Sequence, residues 1–326
     1  MNLTPIHAKY YANQLVRKIS SDSIEKFAST LVDARVDLNP HQIDAALFAF
    51  KSPLSKGAIL ADEVGLGKTI EAGIVLCQKW AENKRRILLI VPSNLRKQWY
   101  QELLDKFFLD SVIIESKNFN EMISKDIINP FEQKKIVICS YHFAKNKEDY
   151  IKKICWDLAV IDEAHRLRNV HHNSNKIAKS IKSSLDNIPK LLLTATPLQN
   201  SLIELYSLVS FIDDFTFGDL SSFKDQFSRL NDDSQVNFTD LKERLSTICK
   251  RTLRKQVIEY IKYTNRISIT QEFTPNEDEQ KLYDLVSKYL QKEKLYALPS
   301  GQRHLMTLIM RRLLASSTFA ITGTFN

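Results

Sequence analysis

Lys68 and Thr69 close the run Asp62-Glu63-Val64-Gly65-Leu66-Gly67-Lys68-Thr69. The apolar segment Ala58–Leu60 precedes it, and a stretch with helical spacing follows through Trp80. A strand, a glycine turn and a helix in that order aim backbone N–H groups and a helix N-terminus at phosphate. In such a turn Gly65, Leu66 and Gly67 would lie against the oxygens of a triphosphate such as ATP. Lys68 would reach its outer phosphates, and the Thr69 hydroxyl would ligate Mg2+. The strict pattern G-x-x-x-x-G-K-[ST] fails at its first position, Asp62. The competing reading, a glycine-rich turn with an ordinary surface lysine, is weakened by the strand and helix on either side.

A second group, Asp162-Glu163-Ala164-His165, leaves the apolar run Leu158–Ile161. Adjacent carboxylates at the end of a buried strand are costly unless something charged meets them. Hydrated magnesium answers for Asp162, and a water to be activated answers for Glu163. Ligands of parallel sheets bind beyond the carboxyl ends of the strands, so both groups should open on one edge. Taken alone, the pair would read as a solvated turn.

A third group, Leu193-Thr194-Ala195-Thr196-Pro197-Leu198-Gln199-Asn200, again follows an apolar run. Its hydroxyls could sense the phosphate site, or Thr196, Pro197 and Gln199 could form a helix-capping box. Asn39-Pro40-His41-Gln42 poses the same choice, since Gln42 could cap a helix or read adenine. His171 and His172 lack partners at zinc-ligand spacing and read as a polar loop.

The elements that must hold these groups form a regular alternation. Short aliphatic runs at 58–60, 87–91, 112–114, 136–139, 158–161 and 191–193 are separated by amphipathic stretches. Runs of that kind, buried on both faces, predict a mostly parallel sheet flanked by helices, an α/β fold. Residues 1–36 show helical spacing and read as a helical extension; 37–215 form the nucleotide-binding unit. Residues 216–326 read as a basic, mainly helical insertion, a return strand at Ile267–Phe273 and a linker. Near its end Thr274-Pro275-Asn276-Glu277 reads as a helix start, with Leu282, Val286, Tyr289 and Leu290 on one face.

The chain has seven glycines in 326 residues, four of them between Gly57 and Gly73, so backbone freedom is concentrated at the lysine turn. It carries 46 basic and 38 acidic side chains, net +8. Much of that excess lies at 241–266, a solvated face or a nucleic-acid contact. No apolar run approaches the ~18–20 residues that span a bilayer, and no secretory signal opens the chain. Cys77, Cys139, Cys155 and Cys249 are far apart, as expected of reduced thiols in a cytoplasmic protein.

Together D-E-V-G-L-G-K-T, the D-E-A-H box and L-T-A-T-P-L-Q-N resemble the Swi/Snf-type ATPases of helicase superfamily two. The bacterial branch related to the RNA-polymerase recycling ATPase looks closest, and Asp62 at the broken position is what that family carries there. Asn39–Gln42 is similar to its glutamine motif. Val91-Pro92-Ser93-Asn94-Leu95 through Gln98-Trp99 resembles the motif touching the DNA backbone, and Arg251-Thr252-Leu253-Arg254-Lys255 its arginine-rich element. The resemblance implies a RecA-like P-loop lobe of an ATP-dependent translocase on double-stranded DNA. It implies adenine recognition by Gln42, with Lys68, Asp162 and Glu163 catalytic and Thr69 and Asp162 on magnesium. His165, Thr194 and Thr196 would couple ATP to DNA, which Ser93, Arg96, Arg251, Arg254 and Lys255 would contact. It also implies a second RecA-like lobe supplying arginines. No strand pattern after Phe273 offers one, so the chain is expected to be the first half of a larger motor, shortened or split, and poorly active alone. Two other expectations stand beside this: a non-catalytic nucleotide-binding module docking RNA polymerase or a defence-system subunit, and an RNA-directed helicase.

Overall fold

The computed structural model describes Thr4 and residues 35–51, 56–168, 170, 175–198, 201–227, 234–261, 276–291 and 307–312. The helices expected within 1–36, the histidine pair at 171–172 and the return strand at 267–273 lie outside the described residues, apart from Thr4, Arg35 and Val36. Contacts divide the chain into two units, Met1–Lys262 and Tyr263–Asn326.

The first unit is built on a seven-stranded parallel sheet. Its strands are β1 (Gly57–Leu60), β2 (Ile87–Val91), β3 (Ser111–Ile113), β4 (Ile136–Ser140), β5 (Leu158–Asp162), β6 (Lys190–Leu193) and β7 (Cys249–Lys250). Their spatial order is β3-β4-β2-β5-β6-β1-β7, and every pairing is parallel. Alternate residues of each strand feed two cores. Ile59, Leu88, Ile90, Val137, Ala159, Ile161 and Leu192 face one, while Ala58, Leu60, Ile87, Leu89, Ile138, Val160 and Leu193 face the other. This two-sided burial is why the strands read as unbroken aliphatic runs.

Helices α1 (Pro40–Lys51), α2 (Lys68–Ala81) and α3 (Arg96–Phe107) pack through the second core. Trp99, Leu103 and Phe107 form the buried stripe of α3 at four-residue spacing. A Cβ on Gly73 of α2 would stand 2.2 Å from the Phe107 ring, so glycine is what lets these helices approach. Helices α4 (Ser116–Ser124), α5 (Tyr141–Asn146), α6 (Glu148–Lys152), α7 (Lys176–Ser184), α8 (Leu202–Ile212) and α9 (Leu220–Phe227) follow along the chain.

The basic segment 241–266 is not one helix. Helix α10 (Ser234–Ser246) ends within it, and β7 then joins the sheet edge beside β1. In the second unit, α11 (Glu277–Gln291) buries Val286 and Leu290 against Met310, with Leu282 and Tyr289 packed alongside. Its start is two residues later than the Thr-Pro pattern suggests. Asn276 Oδ1 accepts from Glu279 N (2.8 Å) and Asn276 N donates to Glu279 Oε2 (3.1 Å), a reciprocal cap. Among the described residues, no helix is long and apolar enough to cross a membrane.

Candidate active site

Strands β5, β6 and β1 are neighbours, with Asp162 opposite Leu193 and Leu193 opposite Leu60. The loops that leave their carboxyl ends therefore emerge side by side. Those three loops carry the lysine turn, the D-E-A-H group and the threonine group.

The lysine turn is shaped by its donors. Gly67 has φ 94° and precedes α2; a Cβ there would meet Gln42 Nε2 at 2.4 Å. Gln42 Nε2 and His41 Nε2 both lie 2.9 Å from Leu66 O. Asn39 N donates to Gln42 Oε1 (3.0 Å), so this carboxamide caps α1 and braces the turn at once. Lys68 Nζ donates to Asp62 O (2.7 Å) and Glu63 O (3.4 Å). Burial holds the Lys68 amine below its usual range, against the opposing pull of Glu71, Glu163, Asp162 and Asp62. Thr69 is half-buried in the first turn of α2.

Asp162 ends β5. Its Oδ2 accepts from Trp99 Nε1 and its Oδ1 from Glu163 N, each at 2.8 Å, and its carbonyl accepts from Tyr141 Oη at 2.5 Å. Burial raises the Asp162 carboxyl pKa, while the indole and amide hydrogen bonds work the other way. Glu163 stands at φ 53°, a left-handed conformation that side chains rarely adopt. Its Oε2 lies 3.0 Å from His165 Nδ1.

Thr194 is fully buried, and Thr196 N donates to its Oγ1 (3.2 Å). Thr196 does not cap a helix: α8 begins at Leu202 with Ser201 before it. Instead Arg168 holds Thr196 through the carbonyl and through Oγ1 (3.0 Å). The Arg168 guanidinium also meets Glu204 (3.4 Å), both side chains being buried. Arg168 thus ties the D-E-A-H group to the threonine group.

Ser93 is exposed just past β2, and its carbonyl accepts from Arg96 Nε (3.1 Å); Arg96 also pairs with Glu115 (2.9 Å). Arg251 and Lys255 are exposed. Arg254 lies on the lysine turn, donating to Val64 O through Nε (3.0 Å) and Nη2 (2.6 Å).

Sequence reasoning missed Tyr141, Arg168 and Glu71, and it noticed Trp99 only as part of a motif. A buried donor set was the missing signal for Asp162, since an ionised strand-end carboxylate needs one. His41, Asp62 and Glu71 bring one ligand atom each within 4.8 Å of one another. His41 already faces Leu66 O and the Tyr260 hydroxyl, and burial beside Asp62 pushes the Glu71 carboxyl up to about 9, so the cluster reads as an acid pair. Asp162 and Glu163, which also pull on Lys68, stand apart from that pair as an acidic strand end of the kind a divalent cation would neutralise.

A parallel sheet with a glycine–lysine turn and an acidic strand end converging on its carboxyl edge defines a RecA-like lobe. The chain matches the SNF2-related domain over residues 13–318 and belongs to that family. Its fold is similar to the Sulfolobus solfataricus SWI2/SNF2 ATPase core in complex with dsDNA (TM-score 0.62, 21% identity, 90% of this chain and 61% of that one). The S. solfataricus SWI2/SNF2 ATPase core domain is also similar (TM-score 0.56, 22% identity, 87% of this chain and 58% of that one). The chain thus spans about three-fifths of those chains.

Proposed function

We propose that this lobe binds ATP with magnesium and hydrolyses it as part of a motor that moves on double-stranded DNA. One observation carries the reading: the turn bearing Lys68 and the Asp162–Glu163 pair, distant in sequence, leave the same carboxyl edge of the sheet at β1 and β5, the two strands that flank β6.

In this reading the N–H groups of the turn and Lys68 hold the phosphates, with Gly65, Leu66 and Gly67 lining them and Gln42 toward adenine. Thr69 and Asp162 would hold magnesium, which would supply positive charge against the phosphates. Glu163 orients the attacking water. His165, through its contact with Glu163, and Thr194 and Thr196, through Arg168, relay the site's state to the DNA-facing loops. Ser93, Arg96, Arg251 and Lys255 contact the duplex. A second RecA-like lobe contributes the arginines that complete the site, as the family resemblance implies. The likeness of the motifs to the bacterial branch related to the RNA-polymerase recycling ATPase makes RNA polymerase a partner to test, beside a defence-system subunit.

Titrating the chain with a fluorescent ATP analogue and magnesium tests the assignment. Lys68→Ala should weaken binding, whereas Glu163→Gln should retain it and, in the complete motor, abolish turnover. The chain alone should show negligible DNA-stimulated hydrolysis, because a missing arginine finger costs a factor of about 10³–10⁵. Robust turnover by the chain alone would overturn the two-lobe reading. A complete motor that stays inactive would favour the docking module, and stimulation by RNA rather than duplex DNA would favour the RNA helicase.

A further inference from the structure

A turn that cradles phosphate must point its N–H groups inward and its carbonyls away, because a carbonyl facing the anion repels it. Here the carbonyls of residues 62, 63, 64 and 66 each meet a side-chain donor. Lys68, His41 and Gln42 supply three of them from nearby sequence. Val64 is held from far away: Arg254, 190 positions on, sets Nε and Nη2 on its one carbonyl oxygen.

Arg254 is itself well anchored. Its backbone N–H donates to Glu63 Oε2 (2.8 Å), and the segment before it is zipped to the strand that feeds the turn. Ala61 N donates to Lys250 O (2.7 Å), Glu63 N to Thr252 O (3.1 Å), and Thr252 N to Asp62 Oδ1 (2.7 Å). The place a Cβ would take on Gly65 is 3.4 Å from Arg254 Nη2, so the guanidinium lies against that glycine. Further along, the Tyr260 ring stacks on His41 (centroids 5.9 Å apart, 25° between planes) and its hydroxyl lies 3.3 Å from His41 Nδ1. The segment 250–260 therefore touches the turn's outer braces at two points.

We propose that Arg254 is a positioning residue of the nucleotide site and not a DNA contact: it holds the Val64 carbonyl outward so that the turn stays shaped for phosphate. This rests on the reading of the turn as the triphosphate site. Its importance grows when nucleotide arrives. Lys68 then leaves the carbonyls of Asp62 and Glu63 for the phosphates, and Arg254 becomes the charged donor that still grips the turn from outside.

The test uses the 326-residue chain, its Arg254→Ala, Arg254→Lys, Arg251→Ala and Lys68→Ala variants, a fluorescent ATP analogue with magnesium, and a labelled DNA duplex at several salt concentrations. Arg254→Ala should raise the nucleotide Kd about three- to tenfold, as expected for losing a partly exposed charge-assisted pair. Arg254→Lys should recover only part of this, because an ammonium cannot fork onto one oxygen as a guanidinium does. The slope of duplex affinity against salt should match the parent chain. Arg251→Ala should do the reverse, sparing nucleotide and lowering that slope by about one. Hydrogen exchange of the nucleotide-free Arg254→Ala chain should rise across 62–67 and not through the sheet.

A nucleotide Kd unchanged within about twofold overturns the proposal. So does a fall in the duplex salt slope with nucleotide binding kept, or a loosening spread over the whole sheet. If Lys68→Ala also leaves nucleotide binding intact, the site reading itself fails. If Lys68→Ala abolishes binding while Arg254→Ala does not alter it, only the role given to Arg254 fails.

Discussion

Glu71 offers a sharp quantitative test. It lies beneath the lysine turn with no exposed surface, and both of its carboxyl oxygens, like Asp62 Oδ2, are buried without a donor. Burial, then the charge of Asp62 and the hydrogen bond that a protonated Glu71 carboxyl would donate to it, push the Glu71 pKa from 4.5 up to about 9, Lys68 pulling the other way. The folded chain thus keeps a proton there that the unfolded chain releases above about pH 4.5. The associated stability is fully present below that pH and drains away as pH rises, by ~1.4 kcal/mol per unit, until the folded carboxyl also ionises. By about pH 7.5 the cost reaches up to ~4 kcal/mol. Glutamine carries a permanent donor toward Asp62 and has no proton to lose. Glu71→Gln should therefore match the parent chain near pH 4.5 and exceed its stability by a margin that widens up to about pH 9. Urea unfolding of both chains across that range measures the margin directly. Parallel profiles, or a glutamine chain less stable at high pH, would show that no proton is shared there.

Two further substitutions probe the links between the groups. Arg168→Ala removes the cation beside buried Glu204 and frees Thr196; it should cost ~1.5–3 kcal/mol in unfolding measurements, the range for losing hydrogen bonds to a charged group. Trp99→Phe keeps the packing of α3 but deletes the indole N–H on Asp162. Nucleotide binding should then need about tenfold more magnesium, while binding in its absence stays unchanged.

The sheet was legible because its strands are buried on both faces, which leaves aliphatic runs that no helix periodicity explains. The converging loops followed, since parallel strands put their ligand-binding ends on one edge. The edge strand Cys249–Lys250 was not legible. Two residues have no period, and their place in the sheet comes from backbone pairing with a segment almost two hundred positions earlier. The same distance disguised Arg254, whose charge in a basic run suggested a solvent or DNA contact before geometry showed it on a carbonyl. Glu71 was hidden differently. In α2 every residue from Glu71 to Gln78 is buried, so an acid that looks like one position of a solvated face lies against another acid. Trp99 and Arg168 act through side-chain hydrogen bonds, and spacing carries no sign of those.

The long-range zipper between residues 61–63 and 250–252 sets a timetable for the growing polypeptide. Until the ribosome has released residue 254, β1 is an open edge, the Asp62 carboxylate lacks its Thr252 partner, and Val64 has no clamp. Six strands can assemble by then, yet the loop meant for the nucleotide still lacks half of its outer scaffold. Competence to bind ligand is thus acquired only after most of the hydrophobic interior of this lobe is already in place.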